Sequence, residues 1–158
     1  MQAELSLMEQ LSYSTIRIEC QLKDGKTGTG TGFFFNFIID EEKGLYTPVI
    51  ITNKHVVKNA KRGKLIFSKT DVNGQILDTE HALFESPNFE DMWLAHPDKD
   101  VDLCALPIMP IINRYKTYNI NLAFRSLNAQ MIAPVATGSV MDLDAVEDVI
   151  MVGYPNGL

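Results

Sequence analysis

Apolar and polar residues follow two periods along this chain, and the change comes early. Residues 2–12 set Leu5, Leu7, Met8 and Leu11 at helical spacing, which predicts one short amphipathic helix. From Ser14 the period falls to two. Residues 14–22 alternate through Ile16, Ile18, Cys20 and Leu22, the pattern of a half-buried strand, and Asp24-Gly25 reads as the turn that ends it. Residues 27–39 form a β-rich run that opens on Gly28, Gly30 and Gly32. Further short strands are predicted over residues 49–52, 64–67 and 75–85, the last two joined by the hairpin signal Asn73-Gly74. Residues 101–106 make another, ended by Pro107 and Pro110, and residues 149–155 a final one cut by a Gly/Pro turn. Residues 111–131 carry mixed helix and strand signals, and the broken rhythm over 107–130 reads as a linker. Many short strands with turns roughly every ten residues predict an all-β barrel or sandwich.

Composition narrows the classes. The 158 residues are 46% hydrophobic and 22% charged, enough for one domain with its own core and unlike a disordered chain. With 14 basic against 20 acidic residues the net charge is −6, which argues against nucleic acid as the partner. The one basic cluster, Lys58, Lys61, Arg62 and Lys64, reads as a solvated loop. No stretch is long and apolar enough to cross a bilayer, and residues 1–10 lack the basic and apolar regions of a secretory leader, so a cytoplasmic protein with no membrane partner is expected. Cys20 and Cys104 lie in apolar strand-like runs and read as buried free thiols, although an even count permits a pair. No metal-ligand spacing occurs, and neither a metal nor a cofactor is expected.

Two residues stand out chemically. His55 closes the apolar run Ile50-Ile51-Thr52-Asn53-Lys54-His55-Val56-Val57, where a histidine can act as general base near neutral pH, although one beside a strand is more often structural. Asp102 belongs to an acidic cluster with Asp98 and Asp100. The first two suit a solvated turn, whereas Asp102 stands between Val101 and Leu103 and could be held inside to accept a histidine N–H. The spacing of Gly28, Gly30 and Gly32 does not fit a dinucleotide loop, and no helix follows it.

Taken in order, four segments resemble the trypsin-like, HtrA-like serine peptidases. Gly30-Thr31-Gly32-Phe33-Phe34-Phe35 followed by Ile51-Thr52-Asn53-Lys54-His55-Val56-Val57 is similar to that family's G-T-G-F-φ-φ and φ-T-N-x-H-V-φ pattern, φ being apolar. Asp102-Leu103-Cys104-Ala105-Leu106 is similar to its D-φ-A-φ-φ segment, with one residue inserted or substituted. Val152-Gly153-Tyr154-Pro155-Asn156-Gly157-Leu158 is similar to the segment that opens the second barrel. The resemblance implies a chymotrypsin-like antiparallel barrel over 13–110, a helical extension over 1–12, and over 111–158 the connection and the beginning of a second barrel. It implies His55 as general base and Asp102, 47 residues away, as its orienting partner. The glycines would let a strand pass close to its neighbours. The implied activity is endopeptidase hydrolysis of a peptide or protein substrate, with no cofactor.

The family's nucleophile lies in G-x-S-G, which does not occur here, nor does a G-x-S-x-G elbow. Ser139 is preceded by glycine but not followed by one, and reads as a loop serine. Ser68, Ser86 and Ser126 lack supporting context. The expectation is therefore a partial domain, inactive alone, whose apolar run over 149–155 leaves an edge open to association. The alternatives are a non-catalytic binding module on the same barrel, and a relative with a cysteine nucleophile.

Overall fold

A computed structural model of the chain describes residues 5–132 and 150–154. The period-two alternation of residues 14–22 becomes β1 (Thr15–Leu22), with Ile16, Ile18 and Cys20 buried and the residues between them partly exposed. Gly25, at φ +86°, turns the chain into β2 (Thr27–Asp40), which pairs antiparallel with β1 from Gln21↔Thr27 to Thr15↔Phe33. β3 (Leu45–Thr52) folds back on the second half of β2, with a bulge between Ile38 and Asp40. After a short helix α2 (Lys54–Val57), β4 (Ala60–Thr70) returns beside β1, and β5 (Ile76–Pro87) folds back on β4. Their loop is wider than a two-residue turn. The Asp71 carboxylate accepts the backbone N–H groups of Asn73 and Gln75, each at 2.8 Å, and Gly74 takes φ +82°.

A 3₁₀ turn (Phe89–Met92) and β6 (Leu94–Ala95) lead to β7 (Cys104–Pro107), which pairs with β3. Helix α3 (Met109–Lys116) and β8 (Asn121–Ala123) follow. The strands lie in the order β5-β4-β1-β2-β3-β7-β6, with β8 on β4, and every ladder is antiparallel. One cluster takes Ile18 from β1, Phe34 from β2, Ile50 from β3, Phe67 from β4, Phe84 from β5 and Leu106 from β7. Strands from both ends of the sheet share that core, so the sheet curls around its apolar face. Each fully buried Ile or Phe contributes on the order of 1.5–3 kcal/mol, the main term holding the curl closed.

Several expectations need correction. The first helix, α1, is only Leu7–Ser12, started by a Ser6/Glu9 capping box, and Leu7 and Met8 are exposed, so it buries no apolar stripe. Residues 107–124 do not act as a linker. Ile108 and Ile111 are buried in the core, Phe124 stacks on Phe34 at 4.7 Å, and β8 pairs with Ser68–Thr70. β1 stops pairing with β4 at Ile66, and β8 occupies the edge that β1 leaves. Lys61, Arg62 and Lys64 lie on β4, not in a loop, and the latter two flank Glu85 of β5 at 3.9 and 3.2 Å. Residues 150–154 carry no strand, and Ile150 and Met151 are exposed. No apolar edge strand is therefore offered there; residues 149 and 155 of that run, and Ser139, lie outside the described residues. Among the described residues no helix is long and apolar enough to cross a membrane.

Candidate active site

His55 stands not on a strand but on α2, the single turn that follows β3. The turn is anchored from below. Val57 is buried in the core, and Val56 lies against Gly30 of β2, where a Cβ would overlap the valine methyls. Gly32 makes a similar approach to Ile50, its absent Cβ falling 2.6 Å from Cγ2, whereas nothing lies near Gly28. Two of the three glycines thus have a steric reason, and the nearer one seats the histidine turn. With its neighbours held, His55 projects outward, its side chain 71% exposed.

Asp102 reaches it from the segment before β7. That strand begins at Cys104, later than the apolar pattern predicts, because residues 101–103 make other bonds. Asn53 Nδ2 donates to the Asp102 carbonyl at 2.8 Å, and the Leu103 carbonyl accepts the His96 N–H at 2.9 Å. The Asp102 carboxylate spans the histidine. Oδ1 accepts the His55 backbone N–H at 3.1 Å and Oδ2 lies 2.5 Å from Nδ1. The expectation that this acid is held inside is corrected, since its side chain is 48% exposed. Specific bonds, not burial, fix it.

Those bonds set the protonation. The hydrogen bond with the His55 ring, opposed by desolvation and helped by the His55 backbone N–H, holds the Asp102 carboxyl below its ordinary 3.8. An ionised carboxylate only accepts, so Nδ1 carries the proton, and whenever the ring is neutral Nε2 presents its lone pair outward. Nε2 has no partner among the described residues. The arrangement can hold a neutral imidazole in one tautomer and stabilise the imidazolium once Nε2 has taken a proton.

A titration follows from these bonds. Because the folded value is depressed, the contribution of Asp102 is fully present above the unfolded value near 3.8 and is lost as pH falls through the folded one. We expect the Asp102 carboxyl carbon to titrate below 3.8 in NMR spectra, and to move back up in His55→Ala, which removes the largest cause. Equal midpoints in the two proteins would mean that the ring bond does not form in solution.

The other candidates fall elsewhere. Asp98 and Asp100 form the expected solvated turn, with the Asp100 N–H on Asp98 Oδ1 at 2.9 Å. Cys20 and Cys104 are free and buried, and desolvation pushes both thiols up to about 11, which suits core packing and not nucleophilic attack. Ser86 Oγ bonds the Pro87 carbonyl, and Ser68 sits in the β4 ladder opposite His81 and Ala123; neither touches His55. No cluster of metal-binding side chains occurs among the described residues.

Sequence reasoning passed over three supporting groups. Asn53 ties the start of α2 to the Asp102 segment, and Lys54 Nζ donates to the Asp98 carbonyl at 2.8 Å, so the two residues just before His55 fasten the turn to the 98–102 segment. Thr52, buried, donates to the Thr31 carbonyl at 2.8 Å, while Thr31 Oγ1 accepts the Tyr154 N–H at 2.7 Å. The motif around His55 contains Thr52, Asn53 and Lys54 and was the available signal. In comparisons with protein-family models, with curated proteins and with solved structures, nothing matched this chain.

Proposed function

We propose that this chain is the first, histidine- and aspartate-bearing barrel of a trypsin-like serine endopeptidase. The observation that carries the reading is the Asp102 carboxylate bonded at once to the backbone N–H and Nδ1 of His55, with Nε2 left toward solvent. A general base built in this way serves a hydroxyl nucleophile: it takes the serine proton during attack on the scissile carbonyl and returns it to the leaving amine. The antiparallel sheet curled around one core, and the four family-like segments in order, support the same reading. The serine and the oxyanion N–H groups would come from sequence other than these 158 residues.

A second reading, a binding module on the same framework, is favoured by the lack of any G-x-S-G segment in the chain. The intact mass of the native protein and the reading frame past codon 158 separate the two, together with hydrolysis of casein by the native protein. The peptidase reading expects a following G-x-S-G, labelling by a fluorophosphonate, and loss of hydrolysis by about 10³-fold or more in His55→Ala. A native protein that ends at Leu158 and neither hydrolyses nor labels would leave the binding module.

A further inference from the structure

Far from the dyad, β2 and β3 run past the core as a two-stranded ribbon. Phe37, Ile38, Ile39, Leu45 and Tyr46 are all about half exposed or more, and Ile38 and Tyr46 face each other across the strands. β1 pairs with β2 only as far as Phe33, and β7 pairs with β3 only from Val49, so no strand flanks the ribbon tip. An apolar ribbon exposed on this scale marks an interaction surface. At its tip Lys43 pairs with Asp40, which leaves Glu41 and Glu42 uncompensated among the described residues.

Beside the ribbon lies a groove of about 660 Å³ with an apolar floor of Pro48, Met109, Ile112 and Phe124. Lys116 and Arg125 line it, both exposed and neither in an ion pair with a described residue. The ribbon with its spare acids at the tip and the groove with its spare bases are adjacent, since Gly44, Leu45 and Tyr46 of the ribbon also line the groove. A surface of that kind complements itself under a two-fold axis: each tip can lie over the other copy's groove while its own groove receives the other tip.

We propose that this face is a two-fold interface between copies of the chain, with the acidic ribbon tip of each copy seated against Lys116 and Arg125 of the other. The interface does not depend on whether His55 and Asp102 are catalytic.

Sedimentation velocity of the 158-residue chain at low salt, over about 1–200 µM, tests it. A monomer–dimer equilibrium is expected. Reversal of the tip (Glu41→Lys with Glu42→Lys) or of the groove (Lys116→Glu with Arg125→Glu) should each weaken the dimer by about tenfold or more. An equimolar mixture of the two variants should restore it, because each then meets its complement twice. Ile38→Asp should abolish it, and Ile39→Asp is the substitute if thermal melts show Ile38→Asp to be misfolded. A chain monomeric throughout, a dimer indifferent to both reversals, or a mixture that stays monomeric overturns the proposal. So does a monomer whose groove instead binds a synthetic acidic, apolar peptide.

Discussion

Replacing Phe89 with alanine is expected to destabilise the fold by about 3–5 kcal/mol, a large share of the roughly 5–15 kcal/mol that holds a domain together. Phe89 is fully buried at the start of the 3₁₀ turn after β5, edge-on to Trp93 at 5.7 Å. Its ring lies over Gly63 of β4, so closely that a Cβ on that glycine would fall within it. The turn is pinned there by Asn88, left-handed at φ +53°, whose N–H donates to the Lys61 carbonyl at 2.7 Å. The same contact predicts a coupling. Gly63→Ala alone should cost about 1–3 kcal/mol or more by overpacking. In the Phe89→Ala protein the new methyl enters vacated space, and most of that cost should vanish. Urea midpoints followed by the fluorescence of Trp93, the single tryptophan, give the double-mutant cycle. Additive effects would show that the ring and the glycine do not meet.

Asp102→Asn should have the second large effect. On the peptidase reading proposed above, hydrolysis would fall by about 10⁴-fold with little change in fold, as the Ser-His-Asp template requires when the orienting carboxylate becomes an amide. The reason lies in the 2.5 Å contact at Nδ1. A carboxylate can only accept there, which forces the proton onto Nδ1. An amide can present its NH₂ group to Nδ1 instead and favour the tautomer whose Nε2 is already protonated. The effect is readable in the 158-residue chain without any substrate: ¹⁵N spectra should show His55 protonated on Nδ1 in the native protein and on Nε2 in Asp102→Asn. If Nε2 carries the proton in both, Asp102 does not orient the ring.

The strands of the curled sheet were legible because their inward faces follow period two, as Ile16, Ile18 and Cys20 do, and because Asp24-Gly25 and Asn73-Gly74 can turn the chain at few other places. His55 and Asp102 were legible as a pair through the residues around them. What could not be read was decided by contacts distant in sequence. The acid is placed by the Asn53 side chain and the His55 backbone, not by the apolar neighbours that suggested burial. Residues 121–123 lie in the stretch of mixed signals and are too few to show a period; they form a strand where β4 has an edge to spare. The apolar run near residue 150 has the composition of a strand. Its described part finds no ladder and instead meets Thr31 through a single N–H.

The position of β8 also sets a timetable for synthesis. Ser68–Thr70 receive their cover from residues 121–123, about 50 residues further along the chain, and the ring of Phe34 is stacked by Phe124, later still. At about 5–20 residues per second, a ribosome leaves that flank bare for about 3–10 s after β4 has been made. The nascent chain therefore carries an unsealed flank while those residues are made, and a chaperone that shields exposed strands would act on it during that interval, not on the finished protein.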